Sequence, residues 1–282
     1  MTYREYYEQG VRLLTDAGVP EAKLDARLLL EHVCKTDVNA LLLHGEEPVW
    51  EDAAARYMEL LSARAGRVPL QQLTGIQTFC GLDFKINEHV LIPRQDTEIL
   101  VETALLHLKP GMEVLDMCTG SGCILISLLV LGDGLLGTGV DVSEEALLVA
   151  AENAERLLPG DKRPKLLKSD LFAQCEPYEY DVIVSNPPYI PGRDIAELMP
   201  EVKDHEPRLA LYGGEDGLLF YRRIVKEGSP FLKEGGLLVF EIGYDQGEDV
   251  SGLLRAAGYS EIEIKKDYAG LDRVVIGRKK QR

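Results

Sequence analysis

Glu113-Val-Leu-Asp-Met-Cys-Thr-Gly-Ser-Gly-Cys-Ile-Leu-Ile-Ser-Leu-Leu-Val-Leu131 reads as a short apolar strand to Met117, a glycine turn, and an apolar helix from Ile124 to Leu131. The same rhythm repeats downstream. Leu136–Val140 predicts a second strand, followed by a helix from Ser143 to Leu157 with Ser143 as N-cap and acids in its first turn. Lys165–Lys168 and Asp181–Ser185 predict two more strands, Leu218–Lys226 a helix, Gly236–Ile242 a strand and Glu248–Ala257 a helix. Two last strands are expected at Glu261–Lys265 and Arg273–Gly277. Strands alternating with helices imply an α/β fold with a doubly wound, mostly parallel sheet.

Upstream the pattern is different. Tyr3, Tyr6, Tyr7, Val11 and Leu14 keep a helical stripe that ends near Gly18 and Pro20. A second helical run carries Ala22, Leu24, Ala26, Leu28, Leu29 and Val33, a short turn covers Asp37 to Leu43, and a further helix from Trp50 to Ala65 closes at Gly66. Phe79, Leu82, Phe84 and Ile86, set around Gly75 and Gly81, read as a β-hairpin. The expected division is a helical domain over 1–73, a hairpin connector over 74–93 and an α/β domain over 94–282.

Composition narrows the function. Hydrophobic residues make up 45% of the 282 and charged residues 28%, the mix of a globular chain with a sizeable core. The longest apolar stretch, Cys123 to Leu131, is far short of the ~20 residues that a membrane-spanning helix needs. The N-terminus has no apolar signal segment and is too acidic for a transit peptide. Five scattered cysteines (Cys34, Cys80, Cys118, Cys123 and Cys175) without a Cys-x-x-Cys pair fit neither a disulfide framework nor a structural zinc site. A cytoplasmic protein is the expectation. The net charge of −16 argues against a large duplex footprint, because nucleic-acid binders neutralise phosphates with clustered Lys and Arg, and it suits a basic protein partner.

Open α/β sheets bind ligands at the carboxyl ends of their strands. The first strand delivers Cys118, Thr119, Gly120, Ser121 and Gly122, whose glycines allow a sharp turn and close approach to a ligand. The second ends at Asp141, which can accept both hydroxyls of a ribose. Together they describe a site for an adenosine-containing cofactor. The dinucleotide fingerprint wants a third glycine where Leu125 stands, so a cofactor without phosphates, S-adenosylmethionine, fits better. The third strand ends Ser169-Asp170-Leu171-Phe172, where Asp170 is either an acceptor for the adenine amino group beside a covering apolar side chain or a helix N-cap.

The fourth strand runs into Asn186-Pro187-Pro188-Tyr189. Two prolines fix the backbone and leave carbonyls that can only accept hydrogen bonds; Asn186 adds an amide acceptor and Tyr189 a flat face. A planar group bearing an NH2 can be held by two acceptors while the ring stacks on it. That is what N-methylation of an amide or aromatic amine requires, since the delocalised nitrogen lone pair must pyramidalise to attack. His32, His44, His89, His107 and His205 show no metal-ligand spacing, so no metal is expected, and Ser121 lacks a nearby base. Glu241, at a strand end, is placed either to touch the site or to serve a sheet-edge hydrogen bond.

Asn186–Tyr189 is similar to the Asn/Asp-Pro-Pro-Tyr motif of amino-group methyltransferases. Pro69–Gly75, Leu91–Glu98, Val184–Ile190, Glu206–Leu211, Gly213–Gly217 and Glu241–Gly247 resemble, in order, the release factor glutamine methyltransferases (the PrmC/HemK family). The resemblance implies a small N-terminal helical domain that docks substrate and a Rossmann-like, seven-stranded S-adenosylmethionine-dependent methyltransferase domain whose last strand is reversed. It implies methyl transfer to the side-chain amide nitrogen (N5) of the glutamine in the Gly-Gly-Gln loop of class 1 peptide chain release factors, with no membrane and no direct nucleic-acid contact. Cofactor contacts map onto Cys118–Gly122, Asp141, Phe172 and Asn186, glutamine contacts onto Asn186, Pro187, Pro188 and Tyr189, and catalysis onto Asn186, Pro187 and Tyr189. Arg94 and Glu98 are read as organising the cofactor pocket. Cys118 stands where the family usually has Gly, and Gln95 where it usually has Pro; a Cβ at 118 calls for an ordinary backbone there, and these departures bear on cofactor affinity rather than reaction type. Two rival readings share part of the pattern: a nucleic-acid amino (N6-adenine type) methyltransferase, and a non-catalytic module that binds a translation factor.

Overall fold

A computed structural model describes residues 1–177 and 180–281. The chain divides into two compact units, one of residues 1–76 with 199–205, the other of 77–198 with 206–282. The helical unit therefore includes a short stretch taken from the middle of the α/β sequence, which the linear division at 73 and 94 does not contain, and the hairpin falls with the α/β unit.

In the helical unit, α1 (Tyr3–Asp16) starts at a capping box in which Thr2 accepts the Glu5 N–H and the Glu5 carboxylate accepts the Thr2 N–H. Helices α2 (Ala22–Cys34), α3 (Val38–Leu43), α4 (Glu51–Ala65) and α5 (Leu70–Thr74) follow. The segment expected as a turn near Asp37 is thus a short helix, capped by the Asp37 side chain on the Ala40 N–H. Leu14, Ala26, Leu29, Leu30, Tyr57 and Leu61 form the core. Gly10 leaves room for the Tyr57 hydroxyl, which donates to the Ala26 carbonyl at 3.0 Å. The helical turn Pro200–Lys203 joins this unit through Glu201, which accepts from Arg64 and Arg67.

In the α/β unit, β1 (Ile76–Phe79) and β2 (Leu82–Lys85) form the hairpin. Then come α6 (Glu98–Leu105), β3 (Glu113–Met117), α7 (Cys123–Leu131), β4 (Leu136–Asp141), α8 (Glu144–Leu157), β5 (Lys165–Lys168), β6 (Tyr180–Ser185), α9 (Leu219–Gly228), β7 (Leu232–Glu241), α10 (Gly247–Ala256), β8 (Ser260–Lys266) and β9 (Asp272–Arg278). All seven strands expected from the sequence pair in one sheet of order β5-β4-β3-β6-β7-β9-β8. The pairs from β5 through β7 are parallel, and β9 is antiparallel to both β7 and β8, so the last strand is the reversed one.

Alternate residues of the central strands point to opposite faces. Val114, Val182, Val184, Leu237 and Val239 pack with α6 and α7; Leu115, Ile183, Leu238 and Phe240 pack with α9 and α10. Both faces are covered, which is why these strands read as continuous apolar runs. Helix α6 escapes the sequence reading because it packs Ile99, Leu100, Val101 and Ala104 into the core and shows little amphipathic contrast.

Candidate active site

The carboxyl ends of β3, β4, β5 and β6 open onto one cavity, walled also by Val90, Leu91, Pro93, Arg94 and Thr97, by Pro207, Leu209 and Ala210, and by Phe220. Cys118, Thr119, Gly120, Ser121, Asp141, Asp170, Asn186 and Pro188 all line it.

The loop after β3 takes left-handed backbone at Cys118 (φ 64°), Gly120 (φ 54°) and Gly122 (φ 78°). The ordinary backbone expected at Cys118 is therefore not what the loop adopts: the reversal from strand to helix requires the left-handed region there, at a cost of roughly 1–2 kcal/mol for a residue with a Cβ. Burial pushes the Cys118 thiol up, with Asp141 and Asp116 adding to the shift, so it stays protonated at neutral pH. At Gly120 a Cβ would meet nothing, so the glycine serves its backbone angle and leaves the approach to the cavity open. Gly122 does not line the cavity; a Cβ there would press on Ile126 and Ala150, so it permits close packing of α7 against α8.

Asp116, fully buried under this loop, accepts the Thr119 hydroxyl at 2.6 Å through Oδ2, while Oδ1 has no partner. Burial pushes its carboxyl up to about 7. Asp141 accepts the Gly120 N–H through Oδ2 and the Ser143 N–H through Oδ1, each at 2.9 Å. Burial also raises the Asp141 carboxyl, against those two hydrogen bonds.

After β5 the side chains part company. Leu171 lines the cavity, whereas Phe172 turns away from it and stacks on Phe231, ring centroids 4.7 Å apart. Asp170 makes no N-cap bond; its carboxylate accepts from Arg223 at 2.9 Å, and the Ser169 hydroxyl accepts the Gln174 N–H instead.

At the end of β6, Pro187 is buried and Tyr189 half-buried, and neither is on the cavity wall; Asn186 and Pro188 are. Asn186 Nδ2 donates to Thr97 Oγ1 at 3.4 Å. The Tyr189 carbonyl accepts from Gln246, and burial pushes its phenol well up.

Arg94 and Glu98 have different tasks. Arg94 lines the cavity and donates to both carboxylate oxygens of buried Glu206, at 2.7 and 2.8 Å, while Glu206 also accepts the Ile92 N–H. Glu98 accepts the Cys80 N–H at 2.7 Å and so ties down the hairpin turn rather than the cavity. Gln95 opens a 3-10 turn, Gln95–Thr97, at the first helical position, where a proline is favoured but not required. Sequence reasoning did not find Thr97, Pro207, Leu209 or Ala210; the Glu206–Leu211 segment carried the signal, since a buried acid beside Pro207 needs a cationic partner.

The chain matches two family models, one described as PrmC N-terminal domain over residues 5–75 and one as Methyltransferase small domain over residues 95–203. It is 41% identical over 277 residues to the release factor glutamine methyltransferase of Geobacter sulfurreducens, spanning 98% of this chain and 96% of that protein. With the release factor glutamine methyltransferase of Cereibacter sphaeroides it shares 44% identity over 269 residues, 95% of each. Among solved structures, a methyltransferase from Pyrococcus furiosus matches with a TM-score of 0.53 and 18% sequence identity, over 82% of this chain and 100% of that one, a likeness of fold.

Proposed function

The chain belongs to the release factor glutamine methyltransferase family, and on that premise we propose that it transfers a methyl group from S-adenosylmethionine to the side-chain amide nitrogen (N5) of the glutamine in the Gly-Gly-Gln loop of class 1 peptide chain release factors. The observation that carries the reading is the meeting of Asn186 and Pro188 with Asp141 and the Cys118–Ser121 loop on one cavity.

The donor set suits S-adenosylmethionine. Each Asp141 oxygen uses one lone pair on a backbone N–H and keeps another for a ribose hydroxyl. Leu171 offers an apolar wall for an adenine face. When bound, S-adenosylmethionine supplies a methyl group on a positively charged sulfur that a nitrogen lone pair can displace. Asn186 Oδ1 and the Pro187 carbonyl accept the two hydrogens of the glutamine amide, draw its nitrogen out of planarity and aim the lone pair; one of those hydrogens later leaves as a proton. Tyr189, half-buried and off the cavity wall, would have to turn toward the glutamine to cover the amide plane. Arg94 and Glu206 hold the Val90–Thr97 segment against Pro207. The helical unit docks the release factor, and the reaction takes place in the cytoplasm. No helix of the described residues is long and apolar enough to cross a membrane.

A transfer assay with tritiated methyl donor, offering purified release factor and duplex DNA side by side, tests the assignment. Label in the release factor that disappears when its Gly-Gly-Gln glutamine is replaced is the expected result. Label in the DNA alone would move the substrate to nucleic acid, and label in neither would leave a binding module.

A further inference from the structure

We propose that Glu241 is a positioning residue for methyl transfer: acting through the Thr97 hydroxyl, its carboxylate fixes which way the Asn186 amide faces, so that Oδ1 is presented to the nitrogen that receives the methyl group. This rests on the role given to Asn186 above.

The sheet puts the two residues side by side. Ser185 on β6 pairs in parallel with Phe240 on β7, so Asn186, the first residue past β6, and Glu241, the last residue of β7, are the next positions on neighbouring strands. Glu241 is 1% exposed and Thr97 2%. Asn186 Nδ2 donates to Thr97 Oγ1, and the polar hydrogens of Thr97 and Asn186 both act on the Glu241 carboxyl to favour its charged form. Oε2 of Glu241 is buried with no hydrogen-bond partner. A buried carboxylate is costly to keep for a sheet edge alone.

A threonine hydroxyl has one proton to give. While Glu241 is ionised it accepts a hydrogen bond from that hydroxyl, and the Thr97 oxygen is left as an acceptor. Asn186 must then turn its NH2 toward Thr97, which directs Oδ1 the other way. When Glu241 is protonated it donates to Thr97, the hydroxyl proton swings toward Asn186, and Oδ1 is drawn away from substrate. Charge on Glu241 therefore sets the polarity of the amide.

Burial pushes the Glu241 carboxyl up to about 7, opposed by Thr97, by Arg273 of β9 and by Asn186, and reinforced by Asp96. Tyr189, Tyr221 of α9 and Cys123 of α7 also feel its charge, and burial keeps all three protonated near neutrality. Asp116 is likewise pushed to about 7, but it bonds to Thr119 beneath the cofactor loop, so its titration is read in cofactor affinity.

The test is kcat against pH at saturating S-adenosylmethionine, with the full chain and a purified release factor, for wild type, Glu241→Gln, Thr97→Val and Thr97→Ser. Wild type should gain kcat through an inflection near 7. Glu241→Gln and Thr97→Val should lose that inflection and about 10- to 150-fold in kcat, the range of one hydrogen bond to a charged group. Their Kd for S-adenosylmethionine by calorimetry and their Tm should stay near wild type, and Thr97→Ser should restore both kcat and inflection. If Glu241→Gln and Thr97→Val match wild type in kcat and pH profile, the positioning role falls while the methyl-transfer assignment stands. If wild type methylates no release factor at any pH, both fall.

Discussion

Asp141 Oδ2 accepts the Gly120 N–H at 2.9 Å, bonding the end of β4 directly to the turn that follows β3. The bond holds the left-handed turn in place and aims the carboxylate along the cavity that both residues line. One side chain thus shapes the loop and keeps acceptor capacity for a ligand.

Asp141→Ala should raise the Kd for S-adenosylmethionine by roughly 10- to 150-fold, since a hydrogen bond to a charged group contributes about 1.5–3 kcal/mol. Because burial raises the Asp141 carboxyl, wild-type affinity should weaken on acidification earlier than an ordinary carboxylate would allow, and the variant should lack that dependence. Calorimetry across pH checks both, and an unchanged Kd would remove Asp141 from the site.

Asn186→Ala should lose most of kcat while its Kd for S-adenosylmethionine stays within a few-fold of wild type. The amide acceptor is needed most as the attacking nitrogen gives up its planarity, so the loss belongs to the transition state. Single-turnover kinetics beside calorimetry separate the two. A variant that binds cofactor and methylates at the wild-type rate contradicts the mechanism.

The sheet was legible because its strands are short, apolar and bounded by turn residues, and the reversed β9 followed from the family resemblance. Asp141 and Asn186 were legible as polar residues at strand ends. What stayed hidden depends on contacts far apart in sequence. Nothing near Glu201 announces that residues 199–205 pack with the helical unit, because its partners Arg64 and Arg67 lie over a hundred residues earlier. Nor does the pair Leu171-Phe172 reveal which side chain faces the cavity: that follows from Leu171's own left-handed backbone, at φ 50°.

Phe172→Leu should therefore lower Tm and leave the Kd for S-adenosylmethionine close to wild type, because the ring stacks on Phe231 and meets Gly228 inside the core. Full truncation, Phe172→Ala, should cost about 3–5 kcal/mol of stability. Leu171→Ala should show the opposite balance, with a clear rise in Kd. Thermal unfolding and calorimetry on the same samples distinguish them; a weakened Kd in a well-folded Phe172→Leu would return Phe172 to the cofactor wall.

Arg64→Met should destabilise the helical unit by about 3–5 kcal/mol, since it leaves the buried Asp25 carboxylate without its counterion and Glu201 with Arg67 alone. Arg64 donates to Asp25 at 2.7 Å and to Glu201 at 2.9 Å, and Arg67 donates to both Glu201 oxygens at 2.6 and 2.7 Å. Burial pushes the Glu201 carboxyl up, but the hydrogen bonds from Arg67 and Arg64 prevail and hold it at about 2, against an ordinary 4.5. A carboxyl depressed on folding stabilises the native state above its unfolded value and loses that contribution as pH falls through the folded one. Wild type should thus lose stability between pH 4.5 and about 2, and Glu201→Gln should lose less across that window while being less stable at neutral pH. Denaturant unfolding at several pH values measures this. Limited proteolysis should find residues 199–205 cut faster in Arg64→Met, since the ion pairs hold that stretch to the helices. Equal cutting and equal midpoints in variant and wild type would show that apolar packing, not this network, keeps the segment in place.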